Sequence, residues 1–510
     1  MSLRPHLTRL TASALSLVVA AGCAQEPDRD HVLIIVVDGL RPDYVTAEVM
    51  PRLNALAEGG VRGLGHHAVF PTVTRVNGPS IFTGRAPGGH GLLGNAVYVT
   101  GVDSTRTLDA SDAADLRLID EATGGRLLTA PSLGEMLTEQ GLTYFAASSG
   151  STGSGMLMNH RGSGGGLVHH ALTIPDTLGL IVAELLGPVP EIGLGASSVP
   201  LVARAVDALL LIGVDRADAD VLAVWLTEPD GTAHLRGVGA PETLEVVSAV
   251  DAEIGRLLDG FAARGMLERT NILVTSDHGF SMHSGTSSLT NLLVDAGLKE
   301  SARSTDVVVA GTAIHVRRGG EERTAAIVRL LQQTEWIGPV FTRASASDPE
   351  QGRLPGTLSF ATVGWDHERS ADILTSPAWT DAENEHGYRG EVLTSGIAGH
   401  GSASPWDIRS TFIAAGPAIK SGVTSDIPTG NVDLTPTALR LAGATVPEGL
   451  DGRVLDEVLT TGPHPASLAG EGEVVQTSVD VGGVLYELTA YRSRIGSAVY
   501  FGGTDVVRTR

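Results

Sequence analysis

Three short apolar runs in this chain lead into an aspartate: Asp38 in IIVVDG, Asp230 in VWLTEPDG and Asp277 in LVTSDHG. One aspartate in such a place is an ordinary turn residue. Three gathered at one edge repel one another, so a positive charge belongs among them. Histidine accompanies two of the three. Asp230 and His234 stand four apart in DGTAH, so one helical turn sets both on one face. Asp277 directly precedes His278, and His400 lies between glycines in AGHGS, where the backbone is free to approach. Mixed Asp and His ligands favour zinc over magnesium, with manganese and iron as alternatives. The other histidines, His66–His67 and His169–His170 among them, lack this context and read as exposed loop residues.

A second element is FPTVTRVNGPSIFTG, residues 70–84, where Thr72 and Thr74 stand beside Arg75 at the entry to a helix. A capping hydroxyl is the ordinary reading. The chemical reading needs a metal. Threonine is a poor nucleophile at neutral pH, and an ion on its oxygen turns it into an alkoxide. A helix N-terminus also favours an arriving anion such as a phosphoryl group.

These residues need a scaffold, and the hydrophobic pattern supplies one. HVLIIVVDG (31–39) is a continuous Val/Ile run of the kind buried on both faces of a sheet. Strand-like LTYFAAS, DVLAVWLT and NILVTS follow helix-like PSLGEMLTEQG, VPLVARAVDALLLIG and PETLEVVSAVDAEIGRLLDGFAARG. In the last of these Leu244, Val247, Val250, Ile254, Leu257 and Phe261 fall on one helical face. Such alternation predicts an α/β fold, a mostly parallel central sheet with helices on both faces. In parallel sheets ligands bind beyond the carboxyl ends of the strands, where the three aspartates would lie.

Residues 300–385 break this rhythm and read as a small α+β insertion, a cap on a catalytic unit built from 28–299 and 386–462. From 470 to 510 the pattern has period two, with glycine pairs at 482–483 and 502–503, and predicts an antiparallel β appendage. The composition, 42% hydrophobic and 18% charged, is that of a folded chain, and the formal charge of −22 offers no basic face to a nucleic-acid duplex. Residues 1–23 form an arginine-led apolar leader ending in VVAAGC. Cys23, the single cysteine, fits a bacterial lipoprotein signal, with a plain secretory signal cut near Ala24 as the alternative. Both place the protein in the bacterial envelope, with any membrane contact made through a lipid on Cys23.

IIVVDGLRPDY, FPTVTRVNGPSIFTG, HGLLGN, EPDGTAH, TSDHGF and GHG occur in the order seen in the alkaline phosphatase superfamily. They most resemble its type I phosphodiesterase/nucleotide pyrophosphatase branch. The resemblance implies two divalent ions, most readily Zn2+. Asp38, Asp277 and His278 would hold one, which would also bind the Thr74 oxygen, and Asp230, His234 and His400 the other. It further implies Thr74 as nucleophile, Thr72 as structural, and Asn95 as the donor to a non-bridging phosphoryl oxygen. The activity implied is cleavage of phosphodiester or pyrophosphate bonds in a small or nucleotide-like substrate through a phosphothreonine.

Substrate class is less sharply marked. Two divalent ions against three aspartates leave one positive charge, which the Thr74 alkoxide cancels, and that suits a singly charged diester. AASSGSTGSGMLMNHRG lacks the Lys-x-Arg pair of some monoesterases in the superfamily. Nucleotide-cleaving relatives carry an aromatic after the nucleophile, where this chain has Arg75, which can stack, bind an anion or face solvent. Trp225 stands where they keep a tyrosine, as a base platform or as core. Phosphomonoester or phosphonoacetate hydrolysis and a non-catalytic surface-binding lipoprotein are the alternatives.

Overall fold

The computed structural model describes residues 30–510, so the leader and Cys23 lie outside the described residues. Nine strands form the central sheet: β1 (His31–Val37), β2 (Val61–Gly63), β3 (Tyr144–Ser148), β4 (Gly166–His169), β5 (Leu172–Ile174), β6 (Val221–Leu226), β7 (Thr270–Thr275), β8 (Phe412–Ala415) and β9 (Val423–Ser425). Their spatial order is β9–β2–β8–β7–β1–β6–β3–β4–β5. Only β5 and β8 run against the rest. The mostly parallel sheet is therefore present, and its two reversals come late in the chain or at an edge.

Strand β1 shows why its apolar run is unbroken. Leu33, Ile35 and Val37 face one layer, with Val247, Val250, Ile254, Leu257 and Phe261 of helix Pro241–Ala263. Val32, Ile34 and Val36 face the other, with Ile81, Phe82, Leu133, Leu434 and Leu439. Each such side chain contributes about 1.5–3 kcal/mol of burial. Helices on both faces leave only the sheet's ends open, and the functional residues occupy one end.

Between 307 and 377 a second, five-stranded sheet carries the helix Gly320–Gln333. Ile327, Val328 and Leu331 of that helix pack on Val307, Ile314, Val340 and Ile373. The returning chain, 379–383, enters a four-stranded sheet with 389–392, 281–283 and 398–399. The tail is three antiparallel strands, 471–480, 485–495 and 498–509. Tyr486, Leu488 and Phe501 of the tail share a core with Phe341, Phe360 and Trp365 of the inserted region and with Phe70.

Of the paired histidines, His66, His67 and His169 lie in strands and not in loops, while His170 sits in the following turn. His66 is buried, its ring shared among Thr429, Thr275 and Asn431. His169 is buried against the Gly150 carbonyl. Their burial follows from strand pairing, as 66–67 join 429–430 and 166–169 join the central sheet. Burial pushes His66 down to about 3, and His90, buried beside Ser80, likewise to about 3. Below pH 6.5 the unfolded chain protonates these rings while the folded chain does not. Stability therefore falls as pH drops from 6.5 toward 3, by up to about 1.4 kcal/mol per pH unit for each ring. Urea denaturation at pH 7.5 and 5.5 should show the loss, and His90→Gln should reduce its slope; equal slopes would refute the assignment.

Candidate active site

Strands β7, β1 and β6 are adjacent and parallel, with Val36 level with Thr275 and Val37 with Leu226. Asp38, Asp230 and Asp277 therefore emerge at one edge. The Asp38 amide donates to the Leu226 carbonyl at 2.9 Å, and the Asp230 amide to the Asp38 carbonyl at 3.2 Å. The turn between them requires glycine at position 39, which has φ +70°, and a Cβ there would lie 3.1 Å from Phe280 and 3.3 Å from Asp230.

Asp38 and Asp277 each have one satisfied carboxylate oxygen and one bare one. Asp277 Oδ1 accepts the amides of Gly39 (3.0 Å) and His278 (3.1 Å). Asp38 Oδ2 accepts the Trp225 indole at 3.0 Å. Among the described residues, Asp38 Oδ1, Asp230 Oδ1 and Asp277 Oδ2 are buried without a hydrogen-bond partner. Those three oxygens face imidazoles. His278 Nε2 lies 3.1 Å from Asp277 Oδ2 and 3.6 Å from Asp38 Oδ1. Asp230 Oδ1 lies 3.3 Å from His400 Nε2 and 3.4 Å from His234 Nε2. The two ligand-type residues of DGTAH thus share one face of the helix Asp230–Arg236, as their spacing requires.

The far side of each ring fixes its tautomer. Nδ1 of His234, His278 and His400 sits 2.8–3.0 Å from the carbonyls of Ala398, Gly279 and Thr72 respectively. With Nδ1 donating, each Nε2 turns a lone pair toward carboxylate oxygen, an arrangement that a cation relieves. The electrostatics agree. Burial, then the charges of Asp277 and Asp230, push Asp38 well above the usual carboxylate range. Burial alone would depress His278, but the carboxylates of Asp277 and Asp230 raise it. Burial would raise Asp230 too, yet the rings of His234 and His400 hold it well below its ordinary value.

Two groups have ligand atoms within 4.8 Å of one another: Asp38, Asp277 and His278, and Asp230, His278 and His400. His278 belongs to both, stacked on His400 with ring centroids 3.5 Å apart. His234 joins through Asp230, at the more exposed rim. All six residues read from the sequence come together, and their hard carboxylates with borderline imidazoles suit zinc-type ions.

Thr74 is the first residue of the helix Thr74–Thr83, and its Oγ1 is 3.2 Å from His278 Nε2. Neither threonine caps this helix, whose N-cap is Val73. Thr72 instead donates to the Ser402 carbonyl and accepts the Gly401 amide, pinning the loop that carries His400. Asn95 Oδ1 accepts the Arg75 amide at 3.1 Å, leaving its Nδ2 as the free donor end. The Arg75 guanidinium bonds Ser151 Oγ at 2.9 Å, and its buried Nε has no partner.

Trp225 is corrected as a substrate platform. It has no exposed surface, and its indole holds Asp38. Strand alternation alone allows a half-buried or a fully buried aromatic here, and helix Thr74–Thr83, crossing at Gly78, decides the matter by covering the ring. Trp225→Phe frees Asp38 and is expected to lower metal affinity about 10- to 100-fold with the fold intact, as competition with a chromogenic chelator would show.

Residues 32–380 match the family model for type I phosphodiesterase / nucleotide pyrophosphatase. The chain belongs to this family. Among its relatives, a venom phosphodiesterase of Macrovipera lebetinus is 25% identical over 273 residues, 51% of this chain and 27% of that protein. Human ectonucleotide pyrophosphatase/phosphodiesterase family member 7 is 24% identical over 278 residues, 54% of this chain and 53% of that protein. The chain thus spans between a quarter and about half the length of these relatives. Murine ectonucleotide pyrophosphatase/phosphodiesterase 5 has the same fold, with a TM-score of 0.59 at 17% identity over 84% of this chain and 100% of that one. Among the described residues no helix is long and apolar enough to cross a membrane.

Proposed function

We propose that this family member is a dinuclear-metal hydrolase of phosphodiester or pyrophosphate bonds, working outside the cytoplasm through a phosphothreonine on Thr74. The observation that carries this is the set of three buried carboxylate oxygens without hydrogen-bond partners, each facing an imidazole nitrogen, beside the Thr74 hydroxyl. Asp38, Asp277 and His278 would hold one ion, and Asp230, His234 and His400 the other. When bound, the two cations would neutralise the carboxylates, act as Lewis acids on the phosphoryl and leaving oxygens, and acidify the threonine hydroxyl. The chain's own groups do the rest. Thr74 Oγ1 would release its proton to solvent and bond to phosphorus as the ester oxygen departs and takes a proton from water, while the first turn of its helix faces the anion. Asn95 Nδ2 donates to a non-bridging oxygen, its orientation fixed by the Arg75 amide. Water then breaks the bond between phosphorus and Thr74, restoring the hydroxyl.

The test is a panel of bis-4-nitrophenyl phosphate, nucleoside triphosphates, dinucleotides, 4-nitrophenyl phosphate and phosphonoacetate, scored by kcat/KM with metal content measured. Inertness of the loaded protein on all five would refute the enzyme reading in favour of a binding lipoprotein. Arg75 favours a second reading. Its guanidinium adds one positive charge at the site, and its Nε–H has no partner among the described residues, which suits a doubly charged monoester. Arg75→Ala should then cut monoester kcat/KM about 10- to 100-fold while leaving the diester nearly unchanged. Equal changes for the two would reject that reading.

A further inference from the structure

Beside the site lies a cavity of about 310 Å³ that Asn95 and His400 help to line. Pro71, Val73, Leu93, Ala310, Ala313 and Val392 make its walls aliphatic. Phe, Tyr and Trp are missing from its lining, and its rings are the imidazoles of His400 and His283. His283 is not a free platform: its Nδ1 is tied to the Ser395 carbonyl, and its Cε1–Nε2 edge lies against Gly399. One wall is the hairpin between strands 307–310 and 313–316, closed by Gly311 and Thr312. Tyr98 buttresses this hairpin from behind, packing with Val308 and Ala310.

Base recognition uses a flat π surface, and the two positions that could have supplied one do not. Trp225 is enclosed, and the other position holds Arg75, an arginine and not an aromatic ring, with its guanidinium bonded to Ser151. Resting on the phosphodiesterase reading above, we infer that this cavity receives the non-leaving organic group of the substrate, and that this group is a small aliphatic alcohol residue and not a nucleoside. The 310–313 hairpin is then the specificity wall, supplied by the inserted region and not by the catalytic sheet.

The experiment measures kcat/KM on the metal-loaded full chain for O-alkyl O-(4-nitrophenyl) phosphates from methyl to butyl, and for thymidine 5′-(4-nitrophenyl) phosphate. An aliphatic pocket raises kcat/KM by up to about fourfold per methylene, with the thymidyl ester below the butyl ester. Thr312 is half-buried and its side chain makes no hydrogen bond among the described residues, so Thr312→Trp narrows the cavity. In Thr312→Trp the chain-length gain should vanish, the butyl-to-methyl ratio of kcat/KM falling to about one. A flat series in the wild type, a thymidyl ester that outruns butyl, or an unchanged slope in Thr312→Trp would each overturn the inference. Loss of the methyl ester together with the others, in loaded wild-type protein, would instead remove the phosphodiesterase reading on which it rests.

Discussion

Thr74→Ala, loaded with metal, is expected to lose bis-4-nitrophenyl phosphate turnover by at least about 10³-fold, the scale on which removing a covalent nucleophile acts. Because Thr74 opens its helix without capping it, the substitution leaves the helix start unchanged. Thermal stability and metal content should therefore match the wild type, which separates a missing nucleophile from a damaged fold. Thr74→Ser, which retains an oxygen, should recover part of the rate. If Thr74→Ala turned over the diester as fast as wild type, water would be the direct attacking group and the phosphothreonine would be excluded.

The second large effect concerns the ions. Adding Zn2+ at a thousandfold excess over its Kd should stabilise the wild-type fold by about 4 kcal/mol. Asp277→Asn keeps the oxygen that accepts the Gly39 and His278 amides and replaces the bare one with a donor aimed at His278. The variant should lose the response to zinc and all diester turnover. Without metal it should be at least as stable as the wild type, since a bare buried carboxylate costs about 1–3 kcal/mol or more. Scanning fluorimetry with and without EDTA measures both quantities. A metal-free Asp277→Asn that melts far below the metal-free wild type would mean that the carboxylate serves the fold, and the cation argument would fail.

Much of this site was legible in the sequence because its spacing and its register coincide. Asp38, Asp230 and Asp277 each follow a buried apolar run, and three such runs become neighbours in a parallel sheet. DGTAH carries its geometry in a single helical turn. Trp225 was not legible in the same way. Its partner, Asp38, lies 187 positions away and is reached only through strand pairing. The burial of His66 and His169 depends likewise on which strands meet, which local composition does not encode. Helix Leu178–Leu186 went unread because Glu184 is its one charged residue, too little to mark a polar face. The sharing of His278 between the two ligand groups is a matter of side-chain convergence that spacing does not reveal.

The last described strand, 498–509, ties two parts of the molecule together. Tyr500 hydroxyl donates to Asp433 at 2.9 Å on the catalytic side, and Arg508 donates to the Gln332 and Ile337 carbonyls on the other. Both partners are synthesised before the strand that ties them together. A nascent chain halted near residue 490 has all its catalytic groups but lacks this brace on the region that carries the cleft wall. The position of the cleft wall therefore depends on residues more than 150 positions further along the chain, which no substitution in the wall itself would disclose.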